Sequence, residues 1–246
     1  MVPATDKFLR KISARREVTE SQRAVLESLS RDVRSHPRDR TLVETGERPE
    51  ESLLLLDGYA CRSKNMFDGR RQILEINVPG DFIDLHSYVL TRLDHNIETL
   101  SECRILHVPH SSIRSAIADD PGLAETLWHQ TMIDAAIHRE WVCSLGVRPA
   151  AERMAALFCE LTVRLALVGE IQGFRYPLPL SQKTLSEITG MTHVHANRIF
   201  GVLNRAKLMQ FHHEEVVIDD WNALRQFAEF SYIYLDLPED FTLPFE

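Results

Sequence analysis

The chain has 246 residues, 44% of them hydrophobic and 26% charged, with a formal net charge of −8. This is room for one large or two modest domains with ordinary soluble composition. No apolar segment opens the chain as a secretory signal, and the longest apolar runs, such as SLLLLDGYA, are far too short to span a bilayer, so the reading is cytoplasmic with no membrane partner.

The charge is concentrated. From residue 214 to 246 nine acids stand against Arg225, whereas residues 1 to 213 balance at 27 cations and 27 acids. The net charge therefore does not argue against a local basic surface elsewhere. Cys61, Cys103, Cys143 and Cys159 form no C-x-x-C pair and read as buried, reduced thiols. The eleven histidines form no H-E-x-x-H or comparable spacing. No metal site is expected. No nucleophile elbow, phosphate loop or paired carboxylates stand out, so no catalytic residue is assigned and the protein reads as non-enzymatic.

In chain order, residues 19 to 34 predict an amphipathic helix with Thr19 as N-cap and Val25, Leu26 and Leu29 apolar. From about 40 to 108 the texture is of short strands. Asp57-Gly58 separates two runs, Asp68-Gly69 signals a hairpin, and Pro79-Gly80-Asp81 makes a turn. Strands at this spacing predict a small barrel or sandwich. Asp119-Asp120-Pro121 then opens a helix running to Gly146, about 26 residues or roughly 39 Å. Its apolar residues cover two sides, which calls for a second partner beyond its own barrel, most economically the same helix of another subunit. Gly146 to Pro149 reads as a joint. A second helical domain follows, starting with AAERMAALFCELTVRLALVG, and LMQFHHEEVVIDD gives two short strands around a polar turn.

Between them lies SQKTLSEITGMTHVHANRIFGVLNRAKL, residues 181 to 208. Ser181 can cap a first helix with Leu185 and Ile188 inward, Gly190 can turn the chain, and Thr192 can cap a second helix. Val194, Ile199, Val202 and Leu203 are expected to reach the core. His193, His195, Asn197, Arg198 and Arg205 are left outside. This is the logic of a helix-turn-helix whose second helix reads base edges. Ser181, Gln182 and Thr192 suit phosphate, Arg198 can fork onto guanine, Asn197 can pair with adenine, and Lys207 can reach phosphate.

At these residues the sequence resembles the Crp/Fnr transcription regulators, over nearly its whole length. LPLSQKTLSEITGMTHVHANRIFGVLNRAKLM resembles their DNA-binding motif, and LLLLDGYACRSKNMFDGRRQILEINVPGDFIDLH resembles their β-roll. The resemblance implies an α+β protein: a cyclic-nucleotide-binding-like β-roll with an N-terminal helix (1–118), a dimerisation helix (119–145), and a winged helix-turn-helix with an acidic tail (146–246). It implies base reading at His193, Val194 and Arg198, phosphate contact at Thr192, and double-stranded DNA, a second copy and RNA polymerase as partners. Val194 departs from the family's common glutamate. The sensor half departs further. Asp84-Leu85-His86 stand where cyclic-nucleotide binders carry Gly-Glu-Leu, and Leu93-Asp94-His95 where they carry the phosphate-binding Arg-Ser pair. Asp94 would repel a phosphate, so cyclic AMP is not the expected ligand and no cofactor is assigned. The N-terminal cysteine cluster of oxygen-sensing relatives is missing, and single histidines such as His86 or His95 give no specific haem signal. Two other readings compete: a cupin-like metalloenzyme, which needs a His-x-His pair that residues 40 to 108 lack, and a protein-interaction scaffold without specific DNA binding, which the acidic tail keeps open although the outward Asn197-Arg198 and the local basic excess favour DNA.

Overall fold

The computed structural model describes residues 4–29, 32–243 and 245. They divide into two compact units, one of residues 1–64 and 75–135, the other of residues 65–74 and 136–246.

The first unit is a β-roll with helices. Its strands are β1 (Val33–His36), β2 (Thr41–Val43), β3 (Glu51–Asp57), β4 (Ala60–Asn65), β5 (Arg71–Asn77), β6 (Asn96–Thr99) and β7 (Cys103–Pro109). They form two sheets, ordered β1-β7-β3 and β2-β6-β4-β5. The Asp57-Gly58 turn is therefore a crossing from one sheet to the other rather than a hairpin within one. Strand β3 explains the unbroken LLLL run. Leu53 and Leu55 face a core between the sheets with Val43, Ile83, Ile97 and Ile105. Leu54 and Leu56 face the opposite side, against helices. A strand covered on both faces shows no alternation, and each fully buried leucine is worth roughly 1.5–3 kcal/mol.

The covering helices are α1 (Asp6–Ser13), α2 (Glu20–Ser28), α3 (His110–Asp119) and the first turns of α4 (Gly122–Val147). Thr19 caps α2 in a reciprocal capping box with Gln22. The helix expected over 19–34 is shorter than the pattern suggested, because β1 begins at Val33; residues 30 and 31 lie outside the described residues. Helix α4 begins one residue after Pro121 and runs through Gly146. Residues 122–135 of α4 group with the first unit and 136–147 with the second. Cys61, Cys103 and Cys159 are buried as expected, but Cys143 on α4 is exposed.

The second unit is built on α5 (Ala150–Val168), buried along nearly its whole length. Around it stand α6 (Gln182–Thr189), α7 (His193–Arg205), α8 (Trp221–Phe227) and a sheet ordered β8-β10-β9, from β8 (Arg175–Pro177), β9 (Met209–His212) and β10 (Glu215–Ile218). Phe158 of α5, Phe200 of α7 and Phe211 of β9 pack as an aromatic triangle with ring centroids 5.4–6.1 Å apart. It fixes α7 and the β9–β10 hairpin to one core. Among the described residues no helix is long and apolar enough to cross a membrane.

Candidate DNA-binding surface

Local chemistry sets both helices of the pair. Ser181 Oγ accepts from Thr184 N at 3.0 Å, which caps α6, and Thr192 Oγ1 accepts from His195 N at 3.2 Å, which caps α7. Each cap is worth on the order of 1 kcal/mol. Between them Gly190 takes φ +63°, the left-handed conformation that ends α6. Arg153 of α5 clamps the same end, donating from Nη1 to Thr189 O at 2.8 Å.

Leu185 and Ile188 of α6, with Ala196, Ile199 and Leu203 of α7, are buried. On the opposite face His193, His195, Asn197, Arg198 and Arg205 are exposed, as are Ser181 and Thr192, and Gln182 is half-buried. Two expectations fail here. Val194 and Val202 do not reach the core: they are 61% and 38% exposed. The helical repeat decides this, because residues 196, 199 and 203 already fill the inward stripe and 194 and 202 lie off it. Val194 thus stands among the polar residues of the outer face. Lys207 is exposed beyond the end of α7, in the turn to β9, with φ +53°.

The β9–β10 hairpin forms a wing, turning through His212 to Glu215. Leu178 N donates to Glu214 O at 2.7 Å, which continues the β8–β10 ladder into this turn. A capped helix pair with an exposed polar face, backed by a three-stranded hairpin sheet, is the winged helix-turn-helix of proteins that read duplex DNA.

The interior of the β-roll has a different character. Arg62 of β4 is buried, donating from Nε to Ile83 O at 2.6 Å. Its Nη1 lies 2.8 Å from Glu75 and its Nη2 3.0 Å from Asp134 of α4. Asp84, fully buried beside it, accepts from Leu53 N and Ser87 Oγ. Burial pushes the Asp84 carboxyl up to about 7, against those two hydrogen bonds and the Arg62 charge. Asp94 is held low by Lys64 and by His95, and burial lowers His95 in turn. Arg62 is thus already paired with Glu75 and Asp134, beside the buried Asp84. Among the described residues no group of three or more His, Cys, Asp or Glu converges as a metal site. Arg62 was not singled out in the sequence, since its partners lie 13 and 72 positions away.

Two family profiles match: the cyclic nucleotide-binding domain over residues 33–120 and the Crp-like helix-turn-helix domain over residues 152–227. The nitrogen fixation regulation protein FixK of Azorhizobium caulinodans is 26% identical over 178 residues, 72% of this chain and 71% of that protein. The transcriptional activator protein FnrL of Cereibacter sphaeroides is 25% identical over 200 residues, 79% of each. The structure of FixK2 from Bradyrhizobium japonicum has the same fold, with a TM-score of 0.74, 22% identity, and coverage of 81% of this chain and 98% of that one. The chain belongs to the Crp/Fnr family and is a DNA-binding transcription regulator.

Proposed function

We propose that the protein acts as a cytoplasmic homodimer on a pseudo-palindromic duplex, without enzymatic activity and without cyclic AMP as its effector. One observation carries the reading: α7 is capped at Thr192 and buried along Ala196, Ile199 and Leu203. It presents His193, Val194, His195, Asn197 and Arg198 to solvent. On a duplex these five residues meet base edges, Ser181, Gln182 and Thr192 hold phosphate at helix starts, and Arg205 and Lys207 follow the backbone.

Support for the dimer comes from α4. Trp128, Met132 and Val142 are 65%, 49% and 71% exposed, while Leu123, Leu127, Ile133, Ile137 and Trp141 are buried. Arg139 and Gly146 are also exposed and Ala135 is half-buried, so the row keeps a 3–4 alternation, the spacing of a two-helix seam. Two copies would then address half-sites about one helical turn, roughly 34 Å, apart. Support against cyclic AMP is the acidic, internally paired interior around Arg62. The relatives named as activators make RNA polymerase the partner through which binding would change transcription. The scaffold reading loses its main support, because much of the acidic C-terminal segment packs on α5 through α8.

The test is selection on random duplexes with the wild type, Arg198→Ala and Lys207→Ala at two salt concentrations. Arg198→Ala is expected to cost about 1–3 kcal/mol at the selected site and to relax one position per half-site. Lys207→Ala is expected to weaken all sequences alike and to flatten the salt dependence. An unchanged motif after Arg198→Ala would overturn the base-reading assignment.

A further inference from the structure

An α-helix leaves its last four carbonyls without intrahelical partners. In α6 these are met from three places. Ser186 O accepts from Met191 N at 3.0 Å, beyond the Gly190 turn. Thr189 O accepts from Arg153. The two between them are met by the β4–β5 hairpin. Gln72 Nε2 donates to Glu187 O at 2.8 Å and reaches Ile188 O at 3.3 Å, while also lying 2.8 Å from Ile73 O. Beside it Arg71 Nη1 is 3.5 Å from Glu187 Oε2, and Lys183 is 3.8 Å from the other oxygen.

Residues 65–74, the outer part of this hairpin, group with the second unit, while the rest of β4 and β5 groups with the first. The base of the hairpin is held inside the β-roll, where Arg62 of β4 pairs with Glu75 of β5 and with Asp134. Its tip is closed by Met66 N on Arg70 O at 2.8 Å and by Gly69 N on Met66 O at 3.0 Å. The hairpin is therefore a braced element, secured at its base by buried charge and further out by the end of α6. Three residues separate Thr189 from His193, the first residue of α7, so what fixes the end of α6 also fixes the start of α7. With Gln72 in place, His193, Val194, His195, Asn197 and Arg198 stay exposed. The hairpin holds the helix pair without covering its outer face.

We propose that Gln72 is a positioning residue for DNA reading: through it the hairpin holds each helix-turn-helix at one orientation, and so sets the half-site spacing that a dimer accepts. This rests on the dimeric, DNA-bound reading above and adds to it a determinant of spacing that lies outside both helices. Helix α7 selects the bases of a half-site, and the hairpin selects the distance between two half-sites. One base pair added between them turns one half-site by about 34° and moves it by about 3.4 Å. A reader that is held rejects that step, whereas a reader free to swing follows it.

The test uses the full-length protein and the duplex it selects, with the spacer lengthened or shortened by one and by two base pairs. Wild type is expected to lose affinity sharply at each altered spacing. Gln72→Ala removes the donor, and the isosteric Gln72→Glu also sets an acid against the helix carbonyls. Both are expected to narrow the spacing preference at least about fivefold, the worth of one net hydrogen bond. Gln72→Lys keeps a donor whose charge suits a helix C-terminus and is expected to retain most of the preference. In all three variants the base preference within a half-site, the helix content and the dimer mass are expected to stand. Equal spacing preference in wild type, Gln72→Ala and Gln72→Glu overturns the proposal, and so does a lysine variant as tolerant as the alanine one. A uniform loss of affinity with spacing preference intact overturns it too, since that marks a merely structural role. A wild type that selects no duplex, or stays monomeric on it, strikes the proposed function instead.

Discussion

Tyr234 donates its hydroxyl to Glu160 Oε2 at 2.9 Å, the same oxygen that accepts Trp141 Nε1 at 2.9 Å. The other oxygen of Glu160 accepts from Arg164 Nη1 at 2.8 Å. One buried carboxylate therefore ties the turn at Ile233–Leu235 to α5 and to the end of α4. Burial and the Glu160 charge hold the Tyr234 phenol well above its ordinary pKa, so it stays a donor. Tyr234→Phe is expected to cost on the order of 1 kcal/mol. Glu160→Gln leaves Arg164 buried beside a neutral partner and is expected to cost on the order of 3–5 kcal/mol. Denaturant titration of both variants checks the ratio; equal losses would mean that the carboxylate charge is not what holds this end together.

Gly58 and Gly46 both take left-handed backbone, φ +89° and +93°, in different surroundings. A Cβ at Gly58 would meet Glu102 O at 2.2 Å and Cys103 Sγ at 2.9 Å, whereas nothing lies within 4 Å at Gly46. Gly46→Ala should show the conformational cost alone, about 1–2 kcal/mol. Gly58→Ala adds a clash with backbone at the crossing between the two sheets and is expected to lose clearly more. Thermal unfolding of the two variants side by side decides it, and similar midpoints would contradict the packing described for the crossing.

Asp84 makes the stability of the β-roll pH-dependent, and the sign follows from its raised pKa. Between about 4, where an unfolded aspartate ionises, and about 7 in the fold, the native chain holds a proton that the unfolded chain has released. The contribution is fully present below the lower value and is lost as pH rises through the upper one. Asp84→Asn, which cannot ionise, should unfold at a higher temperature than the wild type at about pH 8 and lose that advantage at about pH 5. A difference that does not vary with pH would place the titration elsewhere.

The exposed row on α4 predicts assembly. Trp128→Glu with Met132→Glu puts two acids at positions that are 65% and 49% exposed in the single chain, so fold and helix content should persist while a dimer is lost. Sedimentation at micromolar concentration reads the mass. A dimer unaffected by both changes would show that α4 does not form the interface.

The helix-turn-helix was legible because its determinants are local. Ser181, Gly190 and Thr192 each act on a backbone group within a few residues. The long helix and the Asp68-Gly69 hairpin were legible for the same reason. Helices α1 and α3 and strand β8 were not singled out. Each is short and draws its stability from packing that no local pattern announces, as with Phe8, Leu9 and Ile12 of α1 in the β-roll core. Val194 and Val202 misled by type, since apolar character was weighed before the helical repeat. Among the site residues, the outward positions of His193, His195, Asn197 and Arg198 followed from that repeat. The filled interior did not, because the charge of Glu75 or Asp134 signifies nothing until the fold brings it to Arg62.

Val194 has a further bearing on what this surface distinguishes. An exposed valine offers a base pair no hydrogen bond. On the proposed docking of α7 in the major groove it would respond to the C5-methyl group that separates thymine from cytosine. A cytosine carrying a methyl at that carbon presents the same apolar bump. Enzymatic methylation of a cytosine in the operator would then be read at this position much as a change of base would. The covalent state of the genome, as well as its sequence, would enter the choice of binding sites.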